Sequence, residues 1–155
     1  MRKLRDLVLR VARALDWLPP IAVRVVIGIL FLVTGWGKLH NLEKITGYFA
    51  ELHIPAPHFN AVLVACTECF GGALLILGLV TRIACIPLFI SMLVALLTAK
   101  LGKIEDWTDF FGFEELHYML FFLWLAVAGP GPISLDYLIR RKWFREDTTS
   151  ARSAG

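Results

Sequence analysis

Glu68 is a lone carboxylate inside an apolar stretch, with Ala61 to Thr67 before it, Cys69 to Leu79 after it and no basic residue nearby in sequence. An ionisable side chain at the centre of a hydrocarbon layer costs about 3 kcal/mol on insertion scales, so it is kept where it faces a partner, a ligand or water inside a helical bundle. The chemistry such a group offers is proton exchange, with Glu68 as acceptor or donor. The competing use is a buried ion pair or hydrogen bond that fixes helix register and does no chemistry.

Its candidate partners come from other segments. Lys38 ends one apolar run, and His117 and Tyr118 lie near the start of another. If these ends share one membrane boundary, Glu68 lies roughly 10 to 12 Å below it at helical rise. A long lysine side chain spans that depth, and Trp36, His117 and Tyr118 are then candidates to line a polar pocket around the carboxylate. Cys66 and Cys69 bracket Glu68 as a C-x-x-C on the same run. A dithiol there is a candidate to exchange electrons with a quinone, although Cys85 makes the count odd and cysteine is also a common small packing residue. His40, His53, His58 and His117 have no metal-ligand spacing, and no metal is expected. No Gly-rich phosphate loop or haem-attachment motif occurs.

Composition indicates what must position these groups. Hydrophobic residues make up 57% of the chain and charged residues 19%, with the charges lying between apolar runs, so the medium is a lipid bilayer. We read spans at about residues 21–37, 61–79, 83–99 and 115–133, each near the ~20 residues that cross ~30 Å of hydrocarbon. The last is the shortest in continuous apolar length, and charge supplies the argument for it. With four crossings, twelve of sixteen basic residues share one side, among them Arg2 to Arg24, Arg82 and the tail from Arg140 to Arg152. By the positive-inside bias both termini are cytoplasmic, in the inner membrane. The net charge of +3 follows from these flanks, and no nucleic-acid-binding module accompanies it.

The expected fold is therefore all-α, a four-helix transmembrane bundle in one domain over residues 1–147, with a disordered tail at 148–155. Leu4, Leu7, Val8, Val11, Leu15 and Leu18 recur at helical spacing among basic residues, predicting an N-terminal interfacial amphipathic helix that stops at Pro19 and Pro20. Leu42, Ile45, Phe49 and Leu52 predict a short extracytoplasmic helix between spans one and two, followed by an extended Ile54 to Pro57. Ala61, Ala65, Glu68 and Gly72 share a face, so small residues admit a neighbouring backbone along the line that carries the glutamate, with Gly28 and Gly35 as a candidate facing groove. At the inner end, Gly129 to Pro132 stop the fourth span, Ser134 caps a short helix through Trp143, and Arg82 is positioned to pair with Asp136 as a structural clasp.

These residues carry a resemblance. Gly35-Trp36-Gly37-Lys38, Glu68 followed by Gly71 and Gly72, then Gly78, Thr81 and Arg82, and the Gly129-Pro130-Gly131 and Ser134-Leu135-Asp136 ending resemble the DoxX family over most of residues 24–143. The resemblance implies a four-helix membrane fold; some members look like membrane subunits of quinone-linked oxidoreductases or partners of thiol-stress enzymes. The expectation is a redox-associated subunit holding a quinone or similar apolar molecule near Glu68, served by a membrane or peripheral redox partner protein. The alternative is a non-enzymatic scaffold or assembly factor binding a lipid, small solute or partner helix, with a small-solute transporter third; a second copy of the chain is a further candidate partner.

Overall fold

The computed structural model describes residues 2–104, 106–139 and 141; the tail at 148–155 and the continuation of the last helix to Trp143 lie outside the described residues, Arg141 excepted. The described chain is helical, without strands. It runs α1 (Arg2–Leu15), α2 (Leu18–Leu39), α3 (Leu42–Glu51), α4 (Pro57–Leu77), α5 (Thr81–Ala95), α6 (Trp107–Gly112) and α7 (Glu114–Ala128). Between α5 and α6 lie a π turn, Leu96–Lys100, and a 3-10 turn, Leu101–Lys103.

Among the described residues, three helical stretches are long and apolar enough to cross a membrane: Leu18–Leu39, Pro57–Leu77 and Thr81–Lys100. Prolines at the first helical positions of α2 and α4 start both helices, where a missing N–H costs nothing. This corrects the extended reading of the Ile54 to Pro57 stretch at its end, because Pro57 opens α4 four residues before Ala61. Ahead of it, His53 and Ala56 turn the chain with positive φ. Pro87 lies inside α5.

The last helix differs from the expected 115–133. It covers 15 residues, about 22 Å at helical rise, because the chain breaks at Gly129, whose φ of 86° is open to glycine. Helix α6, in the aromatic and acidic segment between α5 and α7, was not anticipated from sequence. Asp106 starts it, accepting from Trp107 N at 2.7 Å, with Asp109 bonding back to Asp106 N to complete a capping box.

Helices α2 and α4 form the tightest contact. A Cβ at Gly28 would lie 3.0 Å from the Gly72 carbonyl, and one at Gly35 would press on the Cys69 backbone and lie 2.9 Å from the Ala65 carbonyl. Numbers rising along α2 meet numbers falling along α4, so the two helices are antiparallel, and these glycines let the backbones touch over two turns. Gly71 receives the Leu88 side chain of α5 in the same way. Phe31 completes the centre with edge-to-face contacts to Phe122 and Tyr118 of α7, and Ile27, Leu75, Leu88, Met92 and Leu125 fill the core around it.

The inner end is closed by Arg24. Its guanidinium, buried at 3% exposure, donates to the Pro130 carbonyl at 2.5 Å and the Ile133 carbonyl at 2.8 Å. The expected Arg82–Asp136 pair is replaced by a different arrangement. Asp136 accepts from Val80 N at 2.8 Å and Thr81 N at 3.3 Å, so it caps α5. Arg82 is exposed and lies against Gly129. Val80 is held at φ 50°, a costly conformation for a β-branched residue that the Asp136 bond helps to fix. Ser134 acts as expected, accepting from Tyr137 N at 3.1 Å at the start of the helix over 135–139.

Candidate functional site

The sequence placed an acid where packing would need small residues, and the structure explains how both fit. Ala61, Ala65 and Gly72 let α2 approach, and Glu68 projects from the same face toward the end of α2 that carries Lys38. Glu68 retains 1% of its side-chain exposure, and Lys38 Nζ donates to its Oε1 at 2.5 Å. The second oxygen, Oε2, takes a long contact from the Thr34 hydroxyl at 3.4 Å, while that hydroxyl also lies 3.2 Å from the Phe31 carbonyl one turn earlier. A charge-assisted bond and a neighbouring ammonium thus offset the desolvation of the carboxylate.

Beside this pair is a cavity of about 620 Å³ framed by α3, α4, α5 and α7. That size suits a drug-sized or cofactor-sized molecule. Most of its wall is apolar, from Phe49 and Leu52 on α3 to Ile90 and Val94 on α5. Polar and charged side chains interrupt that wall, chief among them Lys38, Glu68, Lys100, Glu114, Glu115 and Tyr118. Tyr118 turns its edge to Phe31 and donates from its hydroxyl to Glu114 Oε2 at 3.4 Å.

Of the residues singled out in sequence, Lys38 and Tyr118 therefore meet Glu68 at one cavity. Trp36 and His117 do not. Trp36 is 60% exposed and stacks on His40 with centroids 4.6 Å apart, because it follows Gly35 by one residue and so turns away from the α4 contact. His117 is exposed, its Nδ1 2.8 Å from the Phe113 carbonyl one turn back. Neither cysteine of the C-x-x-C reaches the cavity. Cys69 is packed under Gly35, and Cys66 opens onto a separate shallow groove with Ala84 and Pro87; both are free thiols. Among the described residues no cluster has the makeup of a metal site.

Thr34 was missed, although it lies one turn before Lys38 on the same face, a spacing that could have suggested it. Also missed was Lys100, which bonds to Glu115 Oε1 at 3.3 Å and borders the same cavity. Sequence offered only its place at the end of an apolar run.

Comparison with known proteins narrows the setting. The DoxX family model matches residues 20–101. The chain is 33% identical over 138 residues to the uncharacterized membrane protein Rv3486 of Mycobacterium tuberculosis, covering 80% of this chain and 84% of that one. It is 32% identical over 146 residues to the inner membrane protein YqjF of Escherichia coli, covering 92% and 100%. CatD of Bacillus subtilis, named as a candidate oxidoreductase, is 32% identical over 116 residues, covering 74% and 81%. No solved structure matches the chain.

Proposed function

From the premise that the chain belongs to the DoxX family of membrane proteins, we propose that it is a redox-associated membrane subunit that binds a quinone or similar apolar small molecule in the cavity beside Glu68. One observation carries this reading: a buried carboxylate, paired with a partly exposed lysine, borders a largely apolar cavity of about 620 Å³. An oily wall accommodates a ring or chain, and the pair supplies a proton donor and acceptor at one end. Electrons would come from a partner protein or a bound cofactor, since the free cysteines lie on other walls. The oxidoreductase naming of CatD supports the redox direction.

In this reading α7 is the fourth crossing, completed by the Gly129 to Ile133 loop that Arg24 ties down, and both termini are cytoplasmic. Helix α1 lies at the inner interface, with exposed Leu7, Val11 and Leu15 for the acyl boundary and basic residues for headgroups. Helix α3 lies at the outer interface as one wall of the cavity.

A scaffold reading has its own supporting observation, the location of Glu68 at the backbone contact of α2 with α4. Mass spectrometry of the purified protein separates the two. A site predicts a stoichiometric apolar molecule that Glu68→Gln loses while remaining folded. If wild type carries none and takes up no added quinone while Glu68→Gln disrupts assembly, the scaffold reading holds instead.

A further inference from the structure

Lys38 has a counterpart across the cavity. Lys100 comes from the π turn after α5, where widened i→i+5 bonding replaces the α-helical ladder, a feature frequent at functional sites. Its Nζ sits 3.3 Å from Glu115 Oε1 and 5.6 Å from the centroid of the Phe113 ring. Both lysines line the one cavity, from different helices.

The two pairs share an order of burial. In each, the carboxylate is the hidden member: side-chain exposure is 1% for Glu68 and 16% for Glu115, against 30% for Lys38 and 35% for Lys100. An ammonium has three donors, and each of these shows one spent on its carboxylate, so N–H groups remain for an occupant. Glu68 and Glu115 offset their charge, and the exposed Glu114, which accepts from the Tyr118 hydroxyl, adds a third carboxylate to the lining, so nothing here attracts an anion, and the N–H groups left on the two ammoniums call for an acceptor. The complement is a neutral molecule with oxygen acceptors on an apolar frame.

We infer that Lys100 is a second ligand-binding residue, and that the cavity takes a neutral, largely apolar molecule with two hydrogen-bond acceptors, one held by Lys38 and one by Lys100. This rests on the cavity being a small-molecule site, as proposed above. Two-point recognition fixes the orientation of the bound molecule and leaves one acceptor within reach of the Lys38–Glu68 pair.

The test compares two probes of similar size, 2-methyl-1,4-naphthoquinone with two carbonyls and 2-methyl-1-tetralone with one, partitioned between empty nanodiscs and nanodiscs holding the full chain. Lys100→Met is combined with Glu115→Gln so that no carboxylate is orphaned, and thermal melting checks that the variant is folded. Wild type should bind the two-carbonyl probe about tenfold more tightly, the worth of one hydrogen bond from a charged donor. The double variant should lose that tenfold and bind the one-carbonyl probe within about twofold of wild type, because Lys38 still serves it. Unchanged binding of the two-carbonyl probe overturns the role of Lys100 and leaves the cavity reading standing, provided Glu68→Gln weakens that probe. Equal loss of both probes also overturns it, since Lys100 then acts on cavity shape alone. If wild type binds neither probe, the cavity reading falls and this inference with it.

Discussion

Glu68 and Arg24 are both charged, both within membrane-length helices and both almost wholly buried, yet the structure uses them differently. Arg24 is enclosed by its surroundings: two backbone carbonyls from the Gly129 to Ile133 loop take its terminal NH groups, its Nε is buried without a partner, and Gly78 packs directly against it. Glu68 is met by a lysine that is itself partly open to a cavity. Burial of a charge in a membrane protein therefore does not by itself locate chemistry. Space beside the charge, reached through a group that still has hydrogen-bonding capacity, is the distinguishing feature.

Substitutions can break or sharpen that contrast. Arg24→Met has the largest expected effect on folding, about 3–6 kcal/mol, since two charge-assisted bonds at about 1.5–3 kcal/mol each are lost and the loop carbonyls are left without donors. Melting in detergent should show it, and ligand binding at reduced temperature should survive. A melting temperature near wild type would mean that the clasp is not the closure it is taken to be. Lys38→Met comes next at about 3–5 kcal/mol, because it strands a buried carboxylate. Glu68→Gln removes the charge together with the pair, so its stability cost is smaller, about 1–2 kcal/mol, while bound molecule is lost. If Glu68→Gln proves as destabilising as Lys38→Met, the contrast with Arg24 disappears and both charges are structural.

The sequence revealed the membrane-length helices through their apolar lengths, and it located the Glu68 face through small residues at helical spacing, whereas Pro57 was read as the end of an extended stretch and in fact opens α4. Lys38 was legible because its side chain is long and its position matches the depth of Glu68. Trp36 misled, because sharing a segment with Lys38 does not mean sharing its face: neighbours on a helix diverge by about 100°. Asp136 was expected to pair with Arg82 on charge grounds, whereas the free N–H groups before α5 compete for the carboxylate and win it. Arg24 read as a flanking positive charge for topology; its use as a clasp depends on the loop returning from α7, a contact 106 residues distant that no local pattern reveals. The stop of α7 at Gly129 was legible in its Gly-Pro run, but the span limit drawn at residue 133 ran past it, because the residues after Gly129 remain apolar while their backbone cannot extend the helix.

A crystal structure of the protein grown from a lipidic phase tests the central claim most directly. Non-protein density filling the space between α3, α4, α5 and α7, within hydrogen-bond distance of Lys38, is the result predicted. A collapsed space, with Phe49 and Leu52 packed onto Ile90 and the Lys38–Glu68 pair sealed among side chains, would contradict it.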